Sequence, residues 1–431
     1  MISRIEAYRY RCFNTLDIAL GQQHVFAGSN GSGKTTLLDI PALIGDLLKV
    51  TDINDAFFKP INGRDRARAE EAIEIVHQLR GDYFMLATEI KLPNSVIDEL
   101  VRDASSAWLR KFEETAFRPD TVRYELSIRI KDGALEVNEE HLTLFPDNSY
   151  RLDHGMGLVG TSDYPKSKPW FKVLSRSWGE KARYQAEYQS GKSSILEFGL
   201  RDNQLALAAL PADHDLYPAA LWLQSYLLEG AHCYEPQWPA MRLAASPRDK
   251  GCFKSDGSSL PWQVYDLQEQ DPEGVDEWLE LVKMALPSVS TIEAKKRSDD
   301  SYCYLEVTYD NGMKVPSSGL SHGTLHILAL TIIPYLQNAP QIITLEEPEN
   351  GIHPKAIDAV LEALKLSSET QIWLSTHSPI VLANTELEQI ISMRFNKDGA
   401  TEVLKGNEHP RLKEWKGEVD LGSLFAAGVL E

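Results

Sequence analysis

One stretch constrains the surroundings of this chain more tightly than any other: GSNGSGKTT at residues 28–36. It matches G-x-x-x-x-G-K-[ST] from Gly28 to Thr35, and the apolar run HVFA leads into it. Glycines at this spacing let successive backbone N–H groups turn inward around an anion, and a helix starting at the lysine adds positive potential. Asn30, Gly31, Ser32, Gly33, Lys34, Thr35 and Thr36 are therefore candidate phosphate-binding residues. In this motif the lysine reaches the outer phosphates and the Thr35 hydroxyl can ligate Mg²⁺. Such a loop needs a strand before it and a helix after it.

The remaining pattern supplies those elements. Residues 3–26 alternate and then run apolar, predicting two strands, the second entering the loop. A helix is expected from about 34 to 49, kinked or broken at Pro41, because an interior proline costs about 3 kcal/mol. Residues 52–80 read as a loop followed by an exposed helix around RDRARAEEA. DYFMLATEIKL predicts a strand, and residues 94–114 a helix capped by Asn94. Residues 121–145 alternate on both sides of Lys131-Asp132-Gly133, a hairpin pattern. The stretch 147–200 has no readable periodicity. Helices are expected at 217–229 and roughly 273–286, with loop signals over 246–261. A strand–turn–strand follows, centred on Asn311-Gly312.

From 319 to 379 the order becomes buried helix, apolar strand, acidic turn, amphipathic helix, apolar strand. The helix KAIDAVLEALKL places Ile357, Val360, Leu361 and Leu364 on one face. This is an α/β order and predicts a parallel sheet. The core is thus split. Residues 1–50 and 311–431 form its two parts, and 51–310 hold a β lobe and a large α+β insertion.

The acidic turn is ITLEEPENGIHP at 343–354. Adjacent carboxylates repel unless a cation sits between them. Alone, the segment reads as a solvated surface turn. Beside a phosphate loop it reads differently, because ligands of α/β sheets bind at the C-terminal ends of strands. Glu346 would face Mg²⁺, through water because glutamate is one methylene longer than the more usual aspartate. Glu347 would polarise the attacking water. Glu349 reads as a turn residue facing solvent or a partner copy. STHSP at 375–379 brings His377 past the next apolar strand, to the same sheet edge. LSHGT at 320–324 offers the Ser321 hydroxyl and backbone N–H groups, including that of Gly323, at a helix N-terminus. Alone, Ser321 is a plain helix cap.

These four segments, in this order, resemble an ABC-type ATPase head of the SMC/RecF group: GSNGSGKTT the Walker A, LSHGT the signature, IITLEEP the Walker B with its catalytic glutamate, and STHSP the switch histidine. SSGLSHGTLHILAL, LEEPENGIHP and STHSPIVL are closer still to ATPases of the OLD (overcoming lysogenization defect) group. SDGSSLPWQVYDL and DLGSLFAAGVLE also resemble segments of that group. The likeness covers residues 1–50 and about 250–431.

The resemblance implies an α/β head with an antiparallel β lobe, ATP and Mg²⁺ as cofactors, and a head-to-tail homodimer on ATP. In that dimer Ser321 and Gly323 of one copy complete the site holding Lys34 and Glu347 of the other. His322 departs from the usual second residue of the signature, and His353 stands where such heads commonly carry an aspartate. No Q-loop glutamine can be placed. OLD proteins proper carry a C-terminal nuclease domain, and the fifty or so residues after Pro379 are too few for one. The expected effector is a separate polypeptide such as a nuclease, as in stand-alone relatives from anti-phage systems.

Composition bounds the alternatives. The chain of 431 residues carries a formal charge of −19 and is 43% apolar. Such a charge repels nucleic acid and acidic membranes overall, so a DNA-repair clamp would need a local basic strip, for which Arg64, Arg66 and Arg68 are the candidates. No apolar run approaches the roughly 20 residues of a membrane helix, and no signal peptide opens the chain, so a cytoplasmic protein is expected. Four scattered cysteines suggest neither zinc nor disulfides. A scaffold that binds ATP without hydrolysing it is the remaining alternative. A transporter subunit fits poorly, given the insertion and the divergent signature.

Overall fold

The computed structural model describes residues 1–61, 66–103, 118–146, 170–187, 195–410 and 421–426. The fold is α/β with mixed sheets, and the chain divides into two compact units.

The first unit comprises Met1–Gly21, Ile40–Gly230 and Phe395–Glu402. Its eight-stranded antiparallel sheet runs, in spatial order, Phe13–Ala19, Ile2–Tyr10, Tyr83–Lys91, Thr121–Lys131, Ala134–Phe145, Phe171–Ser177, Ala182–Gln185 and Ile195–Phe198. The hairpin turns as expected at Asp132 and Gly133, both at positive φ (51° and 80°), the pair a tight two-residue turn demands. Register sets the faces. Ile5, Leu86, Leu126 and Leu142 share the apolar side and are all buried. On the other side the buried Arg123 guanidinium holds Glu6, Glu89 and Glu125 at 2.6–2.7 Å.

The second unit comprises Gln22–Asp39, Ala231–Arg394 and Val403–Glu431. Its main sheet has the order Ala231–Tyr234, Ile342–Glu346, Gln371–Thr376, Gln23–Gly28, Ile390–Phe395 and Thr401–Lys405, and the first five strands are parallel. A three-stranded antiparallel sheet, Val289–Lys296, Cys303–Tyr309 and Lys314–Pro316, carries the expected Asn311-Gly312 turn. The helix Pro354–Leu366 buries Ile357, Val360, Leu361 and Leu364, as its pattern requires. Helix His322–Thr331 is buried from Thr324 onward. Trp278 of helix Pro272–Ala285 packs fully inside and donates its indole N–H to Thr331 Oγ1 at 3.0 Å.

Several local expectations change. Residues 2–28 form three strands, because Arg11-Cys12 and Gly21-Gln22 each interrupt pairing. The helix Lys34–Lys49 runs through Pro41 without a break, since Ile40, Leu43 and Ile44 beside it are completely buried and packing outweighs the lost hydrogen bond. Asn94 is the first residue of its helix rather than the cap. Residues 53–58 form a short helix, and RDRARAEEA leads only into the 3₁₀ turns Ala72–Ile75 and His77–Leu79 rather than an α-helix. Helix Leu260–Gln270 replaces the end of an expected loop; Pro261 in its first turn was the available signal.

Of the three arginines considered for a basic strip, Arg66 is exposed and Arg68 turns inward. Arg68 is buried, bound to Asp46 at 2.6 Å and to the Ala56 carbonyl at 2.9 Å, because a long charged side chain turned inward must be paired. Arg64 lies outside the described residues, as do most of 147–200, the end of the helix expected at 94–114 and part of DLGSLFAAGVLE. Among the described residues no helix is long and apolar enough to cross a membrane.

Candidate functional site

The strand Gln23–Gly28 lies between Gln371–Thr376 and Ile390–Phe395 and delivers the glycine-rich loop at its C-terminal end. Gly31 (φ 80°) and Gly33 (φ 94°) sit in the left-handed region, where other residues are strained. Lys34 opens the helix, is almost fully buried, and donates to the carbonyls of Gly28 (2.9 Å) and Ser29 (3.0 Å). Its ammonium thus spans the mouth of the loop that its motif assigns to phosphate.

The Thr35 hydroxyl donates to Glu346 Oε2 at 2.8 Å. Two residues 311 positions apart therefore meet, and they are the two assigned to Mg²⁺ from sequence. Burial raises the proton affinity of Glu346; the Thr35 bond opposes it, and Glu235, Asp39 and Glu347 raise it further. Glu235 is a residue that sequence reasoning missed. It follows the edge strand Ala231–Tyr234, whose Tyr234 pairs with Leu345, so parallel register sets Glu235 beside Glu346. The motif-like string YEP, echoing LEEP, was the only clue.

A hydroxyl and a carboxylate, with further acids close by, form an oxygen donor set suited to Mg²⁺. Among the described residues no group of three or more His, Cys, Asp or Glu is arranged to hold a metal.

Glu347 stands just past the strand end with φ 44°, and its N–H donates to the Ser375 carbonyl at 2.9 Å. Its Oε1 lies 3.7 Å from His377 Nε2, and its Oε2 accepts from Asn350 Nδ2 at 2.7 Å. Adjacent parallel strands bring these residues together, since Glu346 pairs with Ser375. Glu349 departs from its expected outward direction. It turns in to accept from Thr376 Oγ1 at 2.5 Å, and burial raises its proton affinity. The reason is the Thr376 hydroxyl, a donor that draws the carboxylate inward.

The signature-like segment is in part a cap. Ser321 Oγ accepts from Thr324 N–H at 3.1 Å at the start of helix His322–Thr331. Gly323 packs against the acidic turn: a Cβ there would fall 2.8 Å from the Gly351 carbonyl oxygen. His322 lies over Gly351 and stacks on His326 at 5.5 Å. His353 is an N-cap, its Nδ1 accepting from Lys355 N–H at 3.2 Å, which is one task an aspartate performs at such a position. The structure thus gathers Lys34, Thr35, Glu346, Glu347 and His377 at one sheet edge, and places His322 and Gly323 beside Gly351 of the acidic turn, with Ser321 capping their helix.

A glycine-rich G-x-x-x-x-G-K-[ST] loop on one strand of a parallel sheet, with paired acids on another, is an arrangement suited to an ATPase domain of the AAA kind. The chain belongs to the AAA_21 family, described as "AAA domain, putative AbiEii toxin, Type IV TA system", with a match over residues 111–383. That span holds Ser321, Glu346, Glu347 and His377 and begins after the glycine-rich loop. The chain is similar to several solved SMC heads. One bound to the C-terminal winged-helix domain of ScpA is 12% identical, with a TM-score of 0.49, covering 94% of this chain and 97% of that one. The Pyrococcus furiosus head with an extended coiled coil gives 10% and 0.47, covering 94% and 95%. The Thermotoga maritima head gives 10% and 0.40, covering 94% and 98%. These are likenesses of fold alone. No curated protein matches by sequence.

Proposed function

We propose that this chain is an ATP-driven switch of the OLD-like kind. It binds ATP and Mg²⁺, pairs head-to-tail with a second copy, hydrolyses slowly, and controls a separately encoded effector in anti-phage defence. The observation that carries the ATPase reading is the Thr35–Glu346 bond at 2.8 Å, with Glu347 and His377 next to it. It supports phosphates at Lys34 and the loop N–H groups, Mg²⁺ between Thr35 and Glu346, and a water polarised by Glu347. His377 would face the γ-phosphate. Bound ATP would supply the phosphoanhydride; the chain supplies orientation and charge. Ser321 and Gly323 would contact the partner copy's nucleotide, as the family pattern implies.

The defence role rests on the close likeness of LEEPENGIHP and STHSPIVL to OLD ATPases, and on a family description naming a toxin of a toxin–antitoxin system. A DNA clamp has less support, because Arg68 is withdrawn into an ion pair.

The test is phosphate release and sedimentation with Mg²⁺-ATP, for the wild type and Glu347→Gln. Expected are slow turnover in the wild type, and ATP binding with a persistent dimer but no turnover in the variant. Full turnover in Glu347→Gln overturns the assignment. Salt-dependent DNA binding that requires ATP would favour the clamp.

A further inference from the structure

We propose that Asn350 is the positioning residue for Glu347, and that it links this carboxylate to the helix bearing the LSHGT segment. The inference rests on reading Glu347 as the group that orients water. Asn350 touches Glu347 twice: its Nδ2 donates to Oε2 at 2.7 Å, and its N–H donates to the Glu347 carbonyl at 2.9 Å. With Oε2 held, Oε1 is the oxygen on the His377 side, at 3.7 Å. Glu347 also has φ 44°, a left-handed conformation that is strained for a non-glycine residue and persists only where neighbours enforce it. Backbone and amide together direct the carboxylate.

The other end of Asn350 is anchored to the helix. Its carbonyl can only accept, so His326 Nδ1, at 3.0 Å, carries the proton and donates. His326 is buried, and its ring stacks on His322 at 5.5 Å and 25°. The neighbouring backbones leave no slack. A Cβ on Gly351 would fall 2.8 Å from the His322 ring, and one on Gly323 would fall 2.8 Å from the Gly351 oxygen. Any shift of the helix N-terminus, where Ser321 and Gly323 lie, therefore moves the Asn350 backbone and with it the amide on Glu347. Contact made at the signature segment is reported to the water-orienting acid through one side chain.

The test measures kcat, KM and equilibrium binding of a fluorescent ATP analogue for Asn350→Ala, Asn350→Asp, His326→Phe and the double variant His326→Phe/Asn350→Ala. Asn350→Ala should lower kcat about 10- to 100-fold, with KM and analogue affinity within about twofold. Asn350→Asp, nearly the same size, keeps the question answerable if the alanine protein does not fold. Its kcat should lie below wild type at about pH 8 and recover as pH falls, because a carboxylic acid donates only when protonated. His326→Phe keeps an aromatic ring against His322 but cannot donate, so it should also lower kcat. The double variant should be no worse than Asn350→Ala. Wild-type kcat in Asn350→Ala, additive losses in the double variant, or a flat pH response of Asn350→Asp relative to wild type each overturn the proposal. If Glu347→Gln meanwhile abolishes turnover, the ATPase reading survives that failure. If Glu347→Gln turns over fully, both fall.

Discussion

Glu349 faces inward and accepts a hydrogen bond of 2.5 Å from Thr376, the residue just before His377. The same threonine oxygen accepts from the Ser378 N–H at 2.9 Å. Thr376 therefore ties the histidine loop to the acidic turn on one side and closes the loop around His377 on the other. Thr376→Val removes both bonds without changing volume, leaving a mostly buried carboxylate with a lost donor. The expected cost is about 1–3 kcal/mol of stability, read by urea denaturation. Turnover should fall by about tenfold as His377 loosens, with ATP binding intact.

The Thr35–Glu346 bond makes a separate prediction about metal. The hydroxyl is assigned to the ion and the carboxylate to its water shell. Thr35→Val should therefore raise the Mg²⁺ concentration needed for half-maximal turnover by about tenfold or more, and Glu346→Gln should do the same. Nucleotide binding without metal should change little in either protein. Lys34→Ala separates the two effects. It removes the cation at the phosphate loop, and affinity should fall about 10- to 100-fold with or without Mg²⁺. A titration of ATP at several Mg²⁺ concentrations distinguishes them.

How much of this was legible depended on whether a feature is local. The loop at 28–36 could be read because its chemistry is set by glycines and a lysine at fixed spacing. Glu346, Glu347 and His377 could be read because each ends an apolar strand, and parallel strands carry such ends to one edge. Glu235 could not, since its place depends on Tyr234 pairing with Leu345 across the sheet. Neither could Asn350 and His326, whose contact joins a turn to a helix 24 residues earlier. The inward face of Glu349 was misread because acidity suggests solvent unless a donor such as Thr376 is known. Arg68 misled in the same way: its partner Asp46 lies in a helix that sequence shows as apolar. The eight-stranded sheet was half visible, as one hairpin, the strand DYFMLATEIKL and a first strand within residues 3–26, because antiparallel order beyond a hairpin leaves no local mark.

In that sheet Arg123 serves three carboxylates at once, Glu6 at 2.6 Å, Glu89 at 2.7 Å and Glu125 at 2.6 Å, and all four side chains are nearly inaccessible. Coulomb attraction only balances the desolvation of such a group while the cation is present. Arg123→Met fills the space but leaves the acids without their guanidinium. A loss of about 3–5 kcal/mol is expected, visible as a lower urea midpoint. Arg129→Met, whose partner Glu136 is on a part-exposed edge, should cost about 1 kcal/mol or less.

Glu187 gives the clearest pH signature outside the candidate site. It is fully buried, and its two oxygens each accept at 2.8 Å from Ala219 and Ala220 N–H, the first turn of helix Pro218–Glu229. Burial pushes its proton affinity up to about 8 from an ordinary 4.5, against the downward pull of those two bonds. Between these values the native state holds a proton that the unfolded chain has released. Stability from this group is thus complete below about pH 4.5 and declines as pH rises toward 8. Glu187→Gln keeps one acceptor and one amide in the same place and cannot ionise. Stability measured by denaturant titration across that window should fall less steeply with pH in Glu187→Gln than in the wild type. Equal slopes in the two proteins would mean that Glu187 is ionised in the native state and that the helix N-terminus, rather than burial, sets its charge.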